Sequence, residues 1–126
     1  MNSVLDVENI IKSDIQINKI KDILEKYDCF LVGGCIRDYF LSKTTPDRDI
    51  VTLGSSCDLA LDIAQKTGGT FIELDSENQI YRVVLQDKIT YFDISHALED
   101  DILKDAKRRD FTLNSIFYDF KEQKIF

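Results

Sequence analysis

The segment Leu31-Val32-Gly33-Gly34-Cys35-Ile36-Arg37-Asp38, followed shortly by Asp47-Arg48-Asp49-Ile50-Val51, constrains this chain more than any other feature. The apolar run 29–32 reads as a buried strand, two glycines end it, and Ile36, Tyr39 and Phe40 then recur at helical spacing. The glycines therefore stand at a strand-to-helix turn. Without a Cβ, Gly33 and Gly34 let the chain turn sharply and let a bulky anion approach the free N–H groups that open the helix. Arg37, one turn further on, can point the same way. Its planar guanidinium suits phosphate oxygens better than a lysine ammonium does.

In Asp47-Arg48-Asp49-Ile50-Val51-Thr52-Leu53 the β-branched residues and the stop at Gly54 favour a strand, and the spacing of the two aspartates puts both carboxylates on one face. Pro46 sits just before that strand, where it removes no ladder hydrogen bond. Two like charges held so close repel, and a divalent cation is the natural compensation. Hard carboxylate oxygens beside a triphosphate select magnesium, usually as a pair of ions that activate the attacking hydroxyl and neutralise the leaving pyrophosphate. Taken singly, an aspartate pair is more often a solvated strand end, and a Gly-Gly pair is commonly just a tight turn. Their order and closeness shift the reading to nucleotidyl transfer.

A third segment, Arg108-Arg109-Asp110-Phe111-Thr112-Leu113-Asn114-Ser115-Ile116, sets a basic pair against an acid and then turns apolar at helical spacing. With it, the set resembles the N-terminal head domain of the class II tRNA nucleotidyltransferases and bacterial poly(A) polymerases. That family carries a Gly-Gly-x-x-Arg-Asp turn, an Asp-x-Asp strand and an Arg-Arg-Asp-Phe-Thr-x-Asn segment. The resemblance runs from about Phe30 to the C-terminus. It implies an α/β, polymerase-beta-like nucleotidyltransferase fold with a mixed, mostly antiparallel sheet flanked by helices.

Residue by residue, the resemblance implies that Gly33, Gly34 and Arg37 hold the triphosphate and that Asp47 and Asp49 are catalytic and ligate magnesium. Arg109 and Asp110 match the segment contacting the incoming nucleotide and its ribose, and Asn114 matches an asparagine that braces that segment. The partners implied are ATP or CTP and an RNA 3′ end, tRNA first among them. The segments 71–75 and 80–84 resemble the strand pair of the A-adding branch. Two positions depart from the pattern: Ser42-Lys43 stand where a glycine is frequent after the first helix, and Ser115 where alanine is common. Neither touches a phosphate or metal ligand.

At 126 residues the chain allows one modest domain with a single core, 1–126, of which 1–13 is expected to be loosely ordered. Family members continue into helical neck, body and tail regions that select the base and grip the RNA. The expectation is therefore a catalytic-domain fragment, or else a truncated product that needs a partner subunit. A net charge of −7 and a pI near 4.6 argue against broad RNA binding by this piece alone, because such affinity needs clustered Lys and Arg. The one dense basic stretch, 104–109, reads as a solvated helix end apart from Arg109.

Cys29, Cys35 and Cys57 have no Cys-x-x-Cys spacing and lie in or beside apolar segments, which suggests reduced thiols in a cytoplasmic protein. No run approaches the roughly 20 apolar residues of a spanning helix, and no signal-peptide pattern opens the chain. His96, the only histidine, reads as a structural or surface residue. Ile20, Ile23, Leu24 and Tyr27 mark an amphipathic helix, and 59–64 another, capped by Ser55 or Ser56 and ended by Gly68-Gly69. The runs 71–74, 80–85 and 89–94 read as a meander with turns at 75–78 and 86–88, and 99–101 as an acidic helix start. Asp93 has two readings: a third metal-binding acid, or a strand-end cap of the next turn. In either case a charge inside such a run asks for a partner.

Overall fold

The computed structural model describes residues 1–97 and 116–126. Helix α1 (Val4–Lys12) opens on a capping box: the Asp6 N–H donates to the Ser3 hydroxyl, and the Ser3 N–H donates to the Asp6 carboxylate. Val7 and Ile11, one turn apart, are fully buried. The segment 1–13, expected from the sequence to be loosely ordered, holds this helix. Its polar residues dilute the pattern, but one cap and two core side chains suffice to dock it. The backbone N–H of Ile125 also donates to Glu8 Oε2 at 2.9 Å, tying the two ends of the chain together.

Two short helices, α2 (Ile15–Asn18) and α3 (Lys21–Lys26), add Ile17, Ile20, Ile23 and Leu24 to the core. Strand β1 (Cys29–Val32), buried throughout, leads into α4 (Gly34–Phe40), and β2 (Asp47–Thr52) into α5 (Ser56–Thr67). As the sequence indicates, Ser55 caps α5, its hydroxyl accepting from the Asp58 N–H at 3.1 Å, and Gly68 ends it with φ +70°. Strands β3 (Thr70–Asp75), β4 (Ile80–Val84) and β5 (Tyr91–His96) form the expected meander. Asp75 and Asp87 organise its two turns by accepting from backbone N–H groups of Asn78, Ile89 and Thr90. Two short strands, β6 (Phe117–Asp119) and β7 (Lys124–Ile125), complete the described elements.

Among the described residues the strands make one seven-stranded sheet in the order β3-β4-β5-β2-β1-β6-β7. Only β2 and β5 run parallel; every other pairing is antiparallel. The sheet is thus mixed and mostly antiparallel, as expected. One face carries the larger core, in which residues of all five described helices pack on Cys29, Leu31, Ile50, Val83, Phe92 and Ile94. Each fully buried side chain of this kind contributes roughly 1.5–3 kcal/mol relative to exposure. The other face holds a smaller cluster of Phe30, Val32, Val51, Ala97 and Phe117. No described helix is long and apolar enough to cross a membrane.

Candidate active site

The site forms on the less covered face, where β1 ends and β2 begins. In antiparallel register Val32 lies opposite Asp49, so the chain leaves β1 directly beside that carboxylate. Gly33 takes φ +82°, a conformation L side chains rarely adopt, and a Cβ there would stand 2.8 Å from Asp49 Oδ2. Conformation and contact both demand glycine. A Cβ on Gly34 would lie 2.9 Å from Arg37 Nη2, so the guanidinium folds back over the turn. Among the described residues Arg37 is otherwise held by its neighbour Asp38, through two contacts of 3.4 Å, and its side chain is 46% exposed. Gly33, Gly34, Arg37 and Asp49, scattered over two sequence motifs, come together in one place.

Strand alternation puts Asp47 and Asp49 on this face, both half-buried, while Arg48 and Ile50 point into the helix-covered face. Asp47 accepts from the Thr45 hydroxyl just before the strand. Parallel pairing sets Asp47 beside Tyr91 and Asp49 beside Asp93. Asp93 lies within β5 and not at a strand end, so the turn-cap reading is overturned. The partner its charge requires is Arg82, whose Nε reaches Oδ1 at 2.7 Å and whose Nη2 reaches Oδ2 at 3.0 Å. The hydrogen bond to Asp93 raises the Arg82 pKa above its ordinary value. Arg82 Cζ also stands 4.2 Å from the centroid of the Tyr91 ring. Burial, with the nearby Asp47 charge, pushes the Tyr91 hydroxyl up.

This donor set suits magnesium. Among the described residues no group of three or more His, Cys, Asp or Glu side chains could hold a metal ion unaided. Magnesium does not require such a cage, since it is typically bound through one or two carboxylates completed by substrate phosphates and water. Asp47 and Asp49, beside a glycine turn with an arginine over it, match that requirement. Arg109, Asp110 and Asn114 lie outside the described residues, as do 99–101, 104–108 and Ser115.

Sequence reasoning missed what lies behind the carboxylates. Arg48, between the two aspartates, sends its guanidinium through the sheet to Asp14, with Nε at 3.1 Å and Nη2 at 2.8 Å from Oδ2. Its Nη1 donates to the carbonyls of Thr45 at 3.4 Å and Pro46 at 3.3 Å. Asp14 Oδ1 caps α2, accepting from the N–H groups of Gln16 and Ile17, and Oδ2 also accepts from the Tyr39 hydroxyl at 2.7 Å. Burial alone would raise the Asp14 pKa, but the hydrogen bonds from Tyr39, Arg48 and Ile17 outweigh it and hold the carboxyl below its ordinary value. The signal was present in the strand pattern: a charged residue at a core-facing position needs a buried partner.

His96 Nδ1 donates to the Gly54 carbonyl at 2.7 Å, a structural bond as expected. All three cysteines are free, Cys29 and Cys35 buried and Cys57 half-buried. Burial pushes the Cys35 thiol up to about 12.

The chain is similar to known proteins over most of its length. The family described as the Poly A polymerase head domain matches residues 29–126. The chain is 36% identical over 90 residues to a CC-adding tRNA nucleotidyltransferase of Geobacter sulfurreducens, covering 71% of this chain and 21% of that protein. It is 31% identical over 121 residues to a CCA-adding enzyme of Staphylococcus haemolyticus, covering 81% of this chain and 29% of that one. A solved structure of a CCA-adding enzyme with ATP superposes with a TM-score of 0.79 over 98% of this chain and 32% of its own, at 24% identity, which bears on the fold alone. The chain thus spans between a fifth and a third of the length of these relatives. With its glycine turn, aspartate strand and sheet order in place, this chain belongs to the poly(A) polymerase head-domain family of class II tRNA nucleotidyltransferases.

Proposed function

We propose that this chain is the catalytic head of an enzyme that transfers AMP or CMP from ATP or CTP to an RNA 3′ end, adding the 3′-terminal CCA, or its A, to tRNA. One observation carries the reading: the Gly33 turn lies against the Asp49 carboxylate, with Arg37 folded over the adjoining Gly34. A phosphate-binding turn and a metal-binding carboxylate pair in contact are what α-phosphate chemistry needs.

In the reaction, the 3′ hydroxyl of the RNA gives up its proton to solvent as its oxygen bonds to the α-phosphorus, the bond from that phosphorus to the bridging oxygen breaks, and pyrophosphate leaves. Bound magnesium would neutralise phosphate charge and acidify the attacking hydroxyl. Asp47 and Asp49 would hold it. Gly33 and Gly34 let the phosphates approach the backbone, and Arg37 takes the negative charge of the departing pyrophosphate. Asp93 would join as a third acid on exchanging Arg82, which now occupies both its oxygens. Arg109, Asp110 and Asn114 are assigned to the nucleotide and ribose by their motif. Catalysis is then positioning and charge stabilisation. A tRNA substrate supports a cytoplasmic location.

The relatives' greater length favours a second reading, in which base choice and RNA grip come from further domains or a partner subunit and this head alone binds nucleotide without transferring it. The test is extension of tRNA lacking its terminal CCA, with labelled CTP or ATP and magnesium, by this chain and its Asp47→Ala and Asp49→Ala variants. Incorporation lost in both variants, which stay folded because like-charge repulsion is relieved, supports a self-sufficient transferase. Long runs of A alone identify the poly(A) branch. Magnesium-dependent nucleotide binding without extension supports the second reading, and normal turnover by either variant rejects the site.

A further inference from the structure

The buried cluster behind the site touches both of its halves. Arg48 belongs to the metal strand and, through Nη1, holds the carbonyls of Thr45 and Pro46, the two residues that lead into Asp47. Tyr39 belongs to α4, the helix that starts at the glycine turn and carries Arg37. Both meet on one oxygen, Oδ2 of Asp14, and Asp14 is itself fixed by the two backbone N–H groups it caps. The Asp14 and Arg48 side chains are only 8% and 10% exposed, so neither geometry nor charge is diluted by solvent.

We infer that Asp14, Arg48 and Tyr39 form a positioning clamp that sets the placement of the Asp47 and Asp49 carboxylates relative to the Gly33–Gly34 turn and Arg37. The inference rests on the function proposed above, because the two halves need a fixed spacing only if one nucleotide with its metal spans them. Strand β1 also joins the halves, through backbone pairing of Val32 with Asp49. That ladder fixes Asp49, at the turn. At the start of β2 the ladder is one-sided: pairing with β1 stops at Asp49, and Asp47 is held only from the β5 side, beside Tyr91, whose N–H donates to the Pro46 carbonyl at 3.1 Å, so side chains complete its placement. The Arg48 fork does this from behind: one edge is anchored on Asp14 while the other holds the 45–46 carbonyls. A lysine could keep the ion pair but not both edges at once. Misplacement of about 1 Å at such a site can lower rates on the order of a hundredfold.

The three residues do not touch substrate and are positioning residues, so the test needs a readout that a merely structural role would not move. Nucleotide affinity per folded molecule is such a readout. Wild type, Arg48→Lys, Tyr39→Phe and the control Asp49→Ala are titrated calorimetrically with CTP and with ATP in magnesium, with folding checked by circular dichroism and thermal melts. The expected result is that wild type binds, Asp49→Ala does not, and Arg48→Lys and Tyr39→Phe remain folded but bind at least tenfold more weakly. Tyr39→Phe removes one hydroxyl only, so it keeps the inference testable should Arg48→Lys fold poorly. If the folded clamp variants bind within twofold of wild type, the clamp is overturned and the site assignment stands. If wild type fails to bind, or Asp49→Ala binds equally well, the proposed function falls and takes the clamp with it.

Discussion

Two arginine–aspartate pairs lie on opposite faces of the same sheet and differ in almost everything but their chemistry. Arg48–Asp14, behind the site, is 10% and 8% exposed and is joined by a tyrosine hydroxyl, two capped N–H groups and two backbone carbonyls. Arg82–Asp93, on the open face next to Asp49, is 33% and 22% exposed, and its guanidinium also stands over the Tyr91 ring. The desolvated pair is locked, because every departure leaves a buried charge. The solvated pair can be exchanged, because water or a cation can replace either partner. Sheet alternation assigns the two jobs: Asp47 and Asp49 of β2 face the candidate site, while Arg48 and Ile50 face the helix-packed core.

The sharpest way to break this contrast is to remove one partner behind the site. Asp14→Ala strands Arg48 in the core and removes the α2 cap, and should destabilise the chain by about 3–5 kcal/mol in urea denaturation. A loss below about 1 kcal/mol, the range of surface pairs, would show that the rear pair is not locked.

Acid provides the same test without a truncation. The folded Asp14 carboxyl is held below its ordinary value of 3.8, so on acidification the unfolded chain takes up that proton first. Its contribution is therefore complete above 3.8 and is lost as pH falls through the folded value. The stability gap between wild type and Asp14→Asn should stay constant from neutral pH to about pH 4 and close at lower pH. A gap that closes at higher pH would contradict the locked geometry.

On the open face, Arg82→Ala should cost only about 1 kcal/mol, reflecting a partly solvated pair and its ring contact. Magnesium should reduce that loss, since a cation near Asp49 and Asp93 can replace the missing charge, and should leave the Asp14→Ala loss unchanged. Equal losses for the two variants, or no response to magnesium, would erase the distinction.

The parts of the molecule legible in its sequence are those written locally. Ser55 and Gly68 bracket α5, the Gly33 turn follows an apolar strand, and the Asp47/Asp49 spacing declares a shared face, each within a few residues. What was not legible depends on partners far along the chain. Arg48 meets an aspartate 34 residues upstream, and Asp93 reaches Asp49 only through the parallel pairing of β2 with β5. Alternation says that Arg48 points inward, but it cannot say to whom. The first helix was missed for a different reason: its capping box, Ser3 with Asp6, uses aspartate at the position where glutamate or glutamine is the familiar signal.

Ser42 shows a local departure acquiring a physical meaning, and it separates stability from positioning. It follows the Leu41 cap of α4 with φ +57°, in the left-handed region that favours glycine, and belongs to the Ser42-Lys43 pair where the resemblance leads one to expect a glycine. An L residue pays roughly 1–2 kcal/mol in that conformation, offset in part by the roughly 0.5–1 kcal/mol of extra chain entropy a glycine loses on folding. Ser42→Gly should therefore stabilise the chain by up to about 1 kcal/mol, read as a higher denaturation midpoint at unchanged slope. The same helix carries Arg37 and Tyr39, so relieving its far end changes stability without moving the clamp at Asp14. Nucleotide affinity in magnesium should stay at the wild-type value. If it rose together with stability, affinity would be following the overall firmness of α4, and the distinction between a locked rear pair and the rest of the scaffold would lose its force.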